Sequence, residues 1–205
     1  MFTGIVEELG TVKKINSLGD GLEISISCSF AAKTHVDESI AVNGVCHTVT
    51  AFDQESFTIQ SVAETLRKTS IGDLKEGTQV NLERSLTLQT GIEGHLVQGH
   101  VDTTAEITRI DQEGSDWLFT FKYPEENQNL IVGRGSITVD GISLTVARDE
   151  GDTFTVAIIP YTYNHTNLKY RTPGEHVNLE FDVIGKYVMK YMASLKPGKD
   201  NPDLA

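Results

Sequence analysis

Apolar and polar residues alternate in short runs along the chain: Leu22–Phe30 (LEISISCSF), Ser56–Val62 (SFTIQSV), Trp117–Tyr123 (WLFTFKY) and Thr153–Ile159 (TFTVAII). A period of two puts successive side chains on opposite faces, so each run predicts a half-buried β-strand. Asn43-Gly44 and Asp140-Gly141 each lie between two apolar runs. Both central residues of a type I′ turn need φ > 0, which makes these dipeptides strong hairpin signals. Helical spacing is confined to two places. One is a brief stretch at Ala63–Ser70 (AETLRKTS), and the other is the end of the chain, where Ile184, Tyr187, Val188, Tyr191, Met192 and Leu195 recur every three or four residues. The pattern predicts an all-β protein of small antiparallel barrels, with an open sandwich as the competing architecture.

The hairpin at Ser39–Thr50 (SIAVNGVCHTVT) can be resolved by face. A two-residue turn pairs Val42 with Val45, Ala41 with Cys46, Ile40 with His47 and Ser39 with Thr48. One face then carries Ile40, Val42, Val45, His47 and Val49, and the other carries Ser39, Ala41, Cys46, Thr48 and Thr50. The same sentence returns at Ser136–Ala147 (SITVDGISLTVA), with Ile137, Val139, Ile142, Leu144 and Val146 on one face. Ser136, Thr138, Ser143, Thr145 and Ala147 share the other. A solvated face explains one such stripe of small hydroxyl residues. Its second occurrence, with Cys46 in it, points instead to two shelves suited to lie under a flat heterocycle or a polyol.

The repetition extends over both halves of the chain. TGIVEELGTVKKI from Thr3 matches QGHVDTTAEITRI from Gln98, and AETLRKTSIGDLKEGTQVNLE from Ala63 matches PYTYNHTNLKYRTPGEHVNLE from Pro160. The offset changes only between roughly residues 16 and 38. A tandem duplication follows, with one unit over 1–97 and a second over 98–183, then a helix over 184–196 and a polar, disordered tail over 197–205. The join falls near Gly91–Gln98, where two glycines loosen the chain.

Composition narrows the function classes. The 205 residues carry a net charge of −12, and Lys and Arg cluster only at Leu168–Arg171. A nucleic-acid binder needs a positive face, so nucleic acid is excluded as a partner. No apolar run is long enough to span a membrane, and the start of the chain lacks the features of a secretory signal. Two cysteines without paired or zinc-like spacing fit a reduced, cytoplasmic protein. His95 and His100 are an odd number of residues apart, which on one strand puts them on opposite faces, so they form no metal pair.

Several segments together carry a family resemblance: MFTGIVEE, NGVCHTVT, NLERSL, GHLVQGHVDTTAEI, DGISLTV and VNLEFDVIGKY. They closely resemble the lumazine-binding family, and within it the riboflavin synthases, over about residues 1 to 192. The resemblance implies two six-stranded Greek-key barrels and a C-terminal helix, assembled as a homotrimer. It implies a dismutation of two 6,7-dimethyl-8-ribityllumazine molecules into riboflavin and 5-amino-6-ribitylamino-uracil, with no metal and no cofactor. It also raises lumazine synthase as a partner. The family includes non-catalytic lumazine and flavin binders, which form the alternative reading.

The resemblance places substrate contacts of the first barrel at Gly4, Ile5 and Val6, at Cys46, His47 and Thr48, and at Gln60, Ser61, Val62, Ala63, Glu64 and Thr65. For the second barrel it places them at Gly99, His100 and Val101, at Arg134, at Ser143, Leu144 and Thr145, and at Ala157, Ile158, Ile159, Pro160, Tyr161 and Thr162. His100 stands where the first copy has Ile5. A neutral imidazole can exchange a proton near pH 7, so His100 is the leading acid/base candidate. Ser143 and Thr145 are candidates to polarise or hydrate the acceptor ring, Cys46 to contact the donor, and Asp182 to supply a polar site group. Packing alone would account for Cys46, and an ordinary strand end for Asp182. His47 departs from the family, which usually has Leu there. Its face assigns it to the core or an interface with a hydrogen-bond partner, rather than to the ligand. Tyr161, where the first copy has Glu64, departs at the rim of the second shelf.

Overall fold

The structure, a computed structural model, describes residues 1–195. The expected tail, and the last residue of the expected helix, lie outside the described residues. β1 (Glu8–Leu18), β2 (Gly21–Ser27), β3 (Ser39–Val42), β4 (Val45–Phe52), β5 (Ser56–Ser61) and β6 (Gln79–Arg84) form one barrel. β7 (Thr103–Glu113), β8 (Asp116–Lys122), β9 (Ser136–Val139), β10 (Ile142–Asp149), β11 (Thr153–Ile158) and β12 (His176–Phe181) form a second. Both sheets close, in the orders β1-β2-β5-β4-β3-β6 and β7-β8-β11-β10-β9-β12. Three consecutive strands with the next one returning beside the first make this a Greek key, and closure rules out the open sandwich. Helices α1 (Ala63–Lys68) and α2 (Pro160–His165) follow β5 and β11, and α3 (Val183–Ser194) ends the described chain.

The hairpin registers match the pattern read from sequence, with Ser39 opposite Thr48, Ile40 opposite His47 and Ala41 opposite Cys46. Asn43, Gly44, Asp140 and Gly141 all have positive φ, as a type I′ turn demands. Ile40, Val42, Val45 and Val49 fill the first barrel with Ile24, Ile26, Phe57, Ile59, Val80 and Leu82. Phe119, Phe121, Phe154 and Phe181 dominate the second. The change in offset falls between β2 and β3, where a short 3-10 turn at Ala31–Lys33 is replaced by a longer one at Glu125–Leu130.

A buried polar seam joins the barrels around the two hairpin turns. Asn81 Nδ2 donates to the Asp140 carbonyl and Asn178 Nδ2 to the Asn43 carbonyl, both at 2.8 Å. Asn81 Oδ1 accepts the Asn167 N–H, and Asn178 Oδ1 accepts the Ser70 N–H. Each half therefore contributes the same bond to the other, a pseudo-twofold relation that pairs the buried Asn81 and Asn178 amides, while Asn43 Nδ2 and Ser70 Oγ stay without a hydrogen-bond partner among the described residues. Asp140 breaks the relation. Its carboxylate also holds Asn167 Nδ2 and, at 2.6 Å, the Arg171 guanidinium. Asn43, Ser70 and Leu74 occupy the corresponding positions of the first copy.

Candidate functional site

Each barrel has one place where its ladder parts. β4 pairs with β5 only from Val49 opposite Ile59 onward, while Gln60 and Ser61 pair with β2 alone. Cys46, His47 and Thr48 therefore face Gln60 and Ser61 across an open gap. β10 and β11 part in the same way beyond Val146 opposite Val156, leaving Ser143–Thr145 opposite Ala157 and Ile158. In an antiparallel hairpin the peptide groups of alternate residues point away from the partner strand. Thr48 and Thr145 thus turn backbone donors and acceptors toward the gaps. Each gap is a slot whose edges offer the hydrogen-bonding pattern of a strand to a flat polar ring.

The third wall of each slot comes from the other half of the sequence. The Gly4 carbonyl accepts the Ser143 N–H at 2.7 Å, and the Gly99 carbonyl accepts the Cys46 N–H at 2.8 Å. Val6 packs on the core of the second barrel and Val101 on that of the first. This corrects the expected grouping. Gly4, Ile5 and Val6 line the second-barrel slot, and Gly99, His100 and Val101 line the first-barrel slot. His100 therefore shares a slot with Cys46, not with Ser143. Both glycines have positive φ, and a Cβ added there would sit 2.6 Å from the Ser143 side chain or 2.7 Å from that of Cys46. Only glycine lets the two backbones meet this closely.

The segments cross as a ribbon between the shelves. Phe2 and Val97 exchange backbone hydrogen bonds, and the His95 N–H donates to the Thr3 carbonyl. Phe2, fully buried, covers Ala41 against Cys46. His95 lies over the other shelf, with Nδ1 at 2.7 Å from Ser143 Oγ and Nε2 at 3.1 Å from Thr138 Oγ1. The expectation of open shelves beneath a ligand is corrected accordingly. Their centres are partly roofed by the chain itself, although Ser143 still lines the cavity of the second slot. The Gly91–Gln98 join is exposed over Gly91–Gly94 and becomes fixed from His95 to Val97, where it meets Phe2 and Thr3.

The second slot opens into a cavity of about 480 Å³, large enough for a two-ring heterocycle with a polyol arm. Gly4, Ile5, Val6, Ser143, Tyr161 and Thr162 line it, as do Asn164, His165 and Lys169, which the sequence reading missed. Tyr161 stacks on His165 with ring centres 4.1 Å apart, where the first copy instead pairs Glu64 with Arg67 and Lys68. Arg134 does not line this cavity. It occupies the tight turn before β9, at φ 66°, with its N–H on the Val146 carbonyl. Asp182 caps α3, its Oδ1 accepting the Ile184 N–H, and its charge reaches the His95 ring.

His47 points inward, as its face predicted. Nδ1 lies 2.9 Å from the Val45 carbonyl and Nε2 lies 2.7 Å from Ser61 Oγ, so the ring bridges β4 and β5 beneath the open gap. Leu144 and Ile158 hold the corresponding positions in the second barrel, so a polar pair replaces an apolar one. Burial pushes the His47 pKa down from 6.5 to about 4. The unfolded chain therefore takes up a proton first as pH falls, and stability is lost between about pH 6.5 and pH 4. The loss amounts to about 3 kcal/mol. The double variant His47→Leu/Ser61→Ile, which copies the second barrel, should flatten the thermal midpoint between pH 7 and pH 5. An unchanged pH slope would refute this assignment.

Burial also lowers the His95 pKa, against a weaker opposing pull from Asp182. The ring over Ser143 is therefore neutral at pH 7. Burial, with Glu8 nearby, pushes the Cys28 thiol up to about 12, which leaves it an unreactive core group. No group of three or more His, Cys, Asp or Glu able to hold a metal ion occurs among the described residues.

Comparison with known proteins gives a consistent result. A family model described as Lumazine binding domain matches residues 3–85 and again 98–182. The chain is 42% identical over 200 residues to the riboflavin synthase of Bacillus subtilis (strain 168), covering 97% of this chain and 93% of that one. It is 42% identical over 194 residues to the riboflavin synthase of Schizosaccharomyces pombe, covering 93% of each. Among solved structures, LumP complexed with riboflavin superposes with a TM-score of 0.83 at 22% identity, over 89% of this chain and 100% of that one. LumP complexed with 6,7-dimethyl-8-(1'-D-ribityl) lumazine gives 0.81 at the same identity, over 89% and 99%. At that identity the likeness concerns the fold.

Proposed function

The chain belongs to the lumazine-binding family and is an enzyme of the transferase class, and from that premise we propose that it converts two molecules of 6,7-dimethyl-8-ribityllumazine into riboflavin and 5-amino-6-ribitylamino-uracil. The observation that carries this reading is the pair of slots, alike in backbone and different in side chains. Two identical substrates call for two similar sites. Because one gives a four-carbon unit and the other accepts it, the sites must differ.

The slot with Thr48 and Gln60–Thr65 brings Cys46 together with His100, and there His100 takes a proton from a ring methyl. The slot with Ala157–Thr162 brings Ser143 and Thr145 together beside Ile5. Its hydroxyls, with Ser143 held by His95, face charge developing on the pyrimidine ring. Holding both rings in register supplies much of the acceleration, since orientation removes a large entropic cost. The enzyme works in the cytoplasm as a homotrimer, in which the first slot of one subunit meets the second slot of its neighbour. Supporting this, Ile184 and Tyr187 of α3 are 67% and 70% exposed, and no residue of the helix is buried.

The test uses 6,7-dimethyl-8-ribityllumazine as sole substrate. Riboflavin should appear by absorbance, one molecule for every two consumed. Tight binding without product would favour the second reading, a non-catalytic lumazine or flavin carrier, for which the fold of LumP is the supporting observation.

A further inference from the structure

The run VNLE, which ends both copies of the repeat, has no part in the chemistry above, yet its glutamates sit at the centre of the molecule. Glu83 lies opposite Ala41, which lies opposite Cys46, so all three share the outer face of the first barrel. Glu180 lies opposite Thr138, which lies opposite Ser143, on the outer face of the second. Both carboxylates are almost fully buried. Glu83 Oε1 accepts the Thr3 N–H at 2.6 Å and the Thr3 hydroxyl at 2.8 Å, and its Oε2 accepts the Gly4 N–H at 3.0 Å. Glu180 accepts the Gln98 N–H at 2.7 Å and the Gly99 N–H at 2.9 Å on its two oxygens.

The peptides so held are those whose carbonyls reach across to the opposite barrel. Gly4, fixed by Glu83 of the first barrel, accepts from Ser143 of the second, and Gly99, fixed by Glu180 of the second, accepts from Cys46 of the first. We infer that Glu83 and Glu180 are positioning residues, each carried by one barrel and setting the wall of the other barrel's slot. Glu180 thereby places His100, the residue after Gly99, and Glu83 places Ile5. A carboxylate suits this task because both oxygens only accept, and both face N–H donors. Burial raises the pKa of each glutamate, and the hydrogen bonds from the peptides it holds oppose that rise.

The inference rests on the two slots being the lumazine sites, and its test is read slot by slot. Lumazine is titrated into full-length protein and followed by amide NMR, with Thr48 reporting the first slot and Thr145 the second. In Glu180→Gln, nearly the same shape with one acceptor turned into a donor, affinity at Thr48 should fall about tenfold while that at Thr145 holds. Glu83→Gln should give the reverse. Equal weakening at both reporters, or at the slot on the glutamate's own barrel, would overturn the inference. Absence of any shift in the unmodified protein would instead sink the lumazine reading itself. If neither variant folds, hydrogen exchange in the unmodified protein decides. Gly4 and Gly99 amides should be protected like those of the barrel strands, and rapid exchange at both would overturn the assignment.

Discussion

Ending the chain at Asp182 is expected to lower riboflavin formation at least about a hundredfold while leaving lumazine affinity at each slot within about threefold. Helix α3 presents Ile184, Tyr187, Val188, Tyr191, Met192 and Leu195 to solvent. Among the described residues none of the helix is buried, and it rests only lightly on the Glu125–Leu130 turn, so its loss removes little from either core. Its ties to the second barrel include a cap by Asp182 and a half-buried ion pair between Lys186 and Asp102 at 2.5 Å. An unpartnered apolar stripe on a stable domain is instead a contact surface. If it holds subunits so that unlike slots face each other, its removal separates donor from acceptor and spares the slots. Sedimentation should show the assembly dissociating in step with the activity. Full activity from dispersed single chains would overturn the intermolecular site.

The barrels were legible because their signals are local. Alternation, the Asn-Gly and Asp-Gly turns and the repeated hairpin each fix a few residues at a time, and the register of Ser39–Thr48 followed from turn length alone. The seam between barrels was not legible. Asn81, Asn178 and Asp140 read as ordinary polar residues of strands and turns, and their partners are Asn43 and Asn167, far away in sequence.

The crossing of the slot walls was hidden for a different reason. The repeat unit still reads as contiguous in sequence when Gly4–Val6 and Gly99–Val101 exchange places in space. A swap between two copies leaves both copies looking intact, so the repeat groups His100 with Ser143 although Gly99, the residue before it, meets Cys46. Two further signals are present in the sequence. VNLE recurs without change while the turns around it diverge, which sets Glu83 and Glu180 apart from exposed strand residues. His47 and Ser61 change together relative to Leu144 and Ile158, as two residues in contact across a gap should. His95 offered no such sign, because its partners Ser143 and Thr138 lie in another repeat.

His100→Ala is expected to lower turnover by about a hundredfold or more, the usual contribution of a positioned proton acceptor, with little change in lumazine affinity. Replacing Ser143 by Ala and Thr145 by Val should silence the enzyme through the other slot. Each variant then keeps one intact slot, of opposite kind. If every reaction centre joined the two slots of a single chain, mixing the variants would restore nothing, since each chain is damaged once. If the centre joins the first slot of one subunit to the second slot of the next, the Ser143/Thr145 variant supplies an intact first slot. The His100 variant supplies an intact second one. Random exchange at equal amounts then regenerates about a quarter of the centres in a closed ring. The measurement is riboflavin formation after mixing, alongside a labelled-subunit control for exchange. Recovery near that fraction supports a shared site, and no recovery despite proven exchange would place both substrates on one chain.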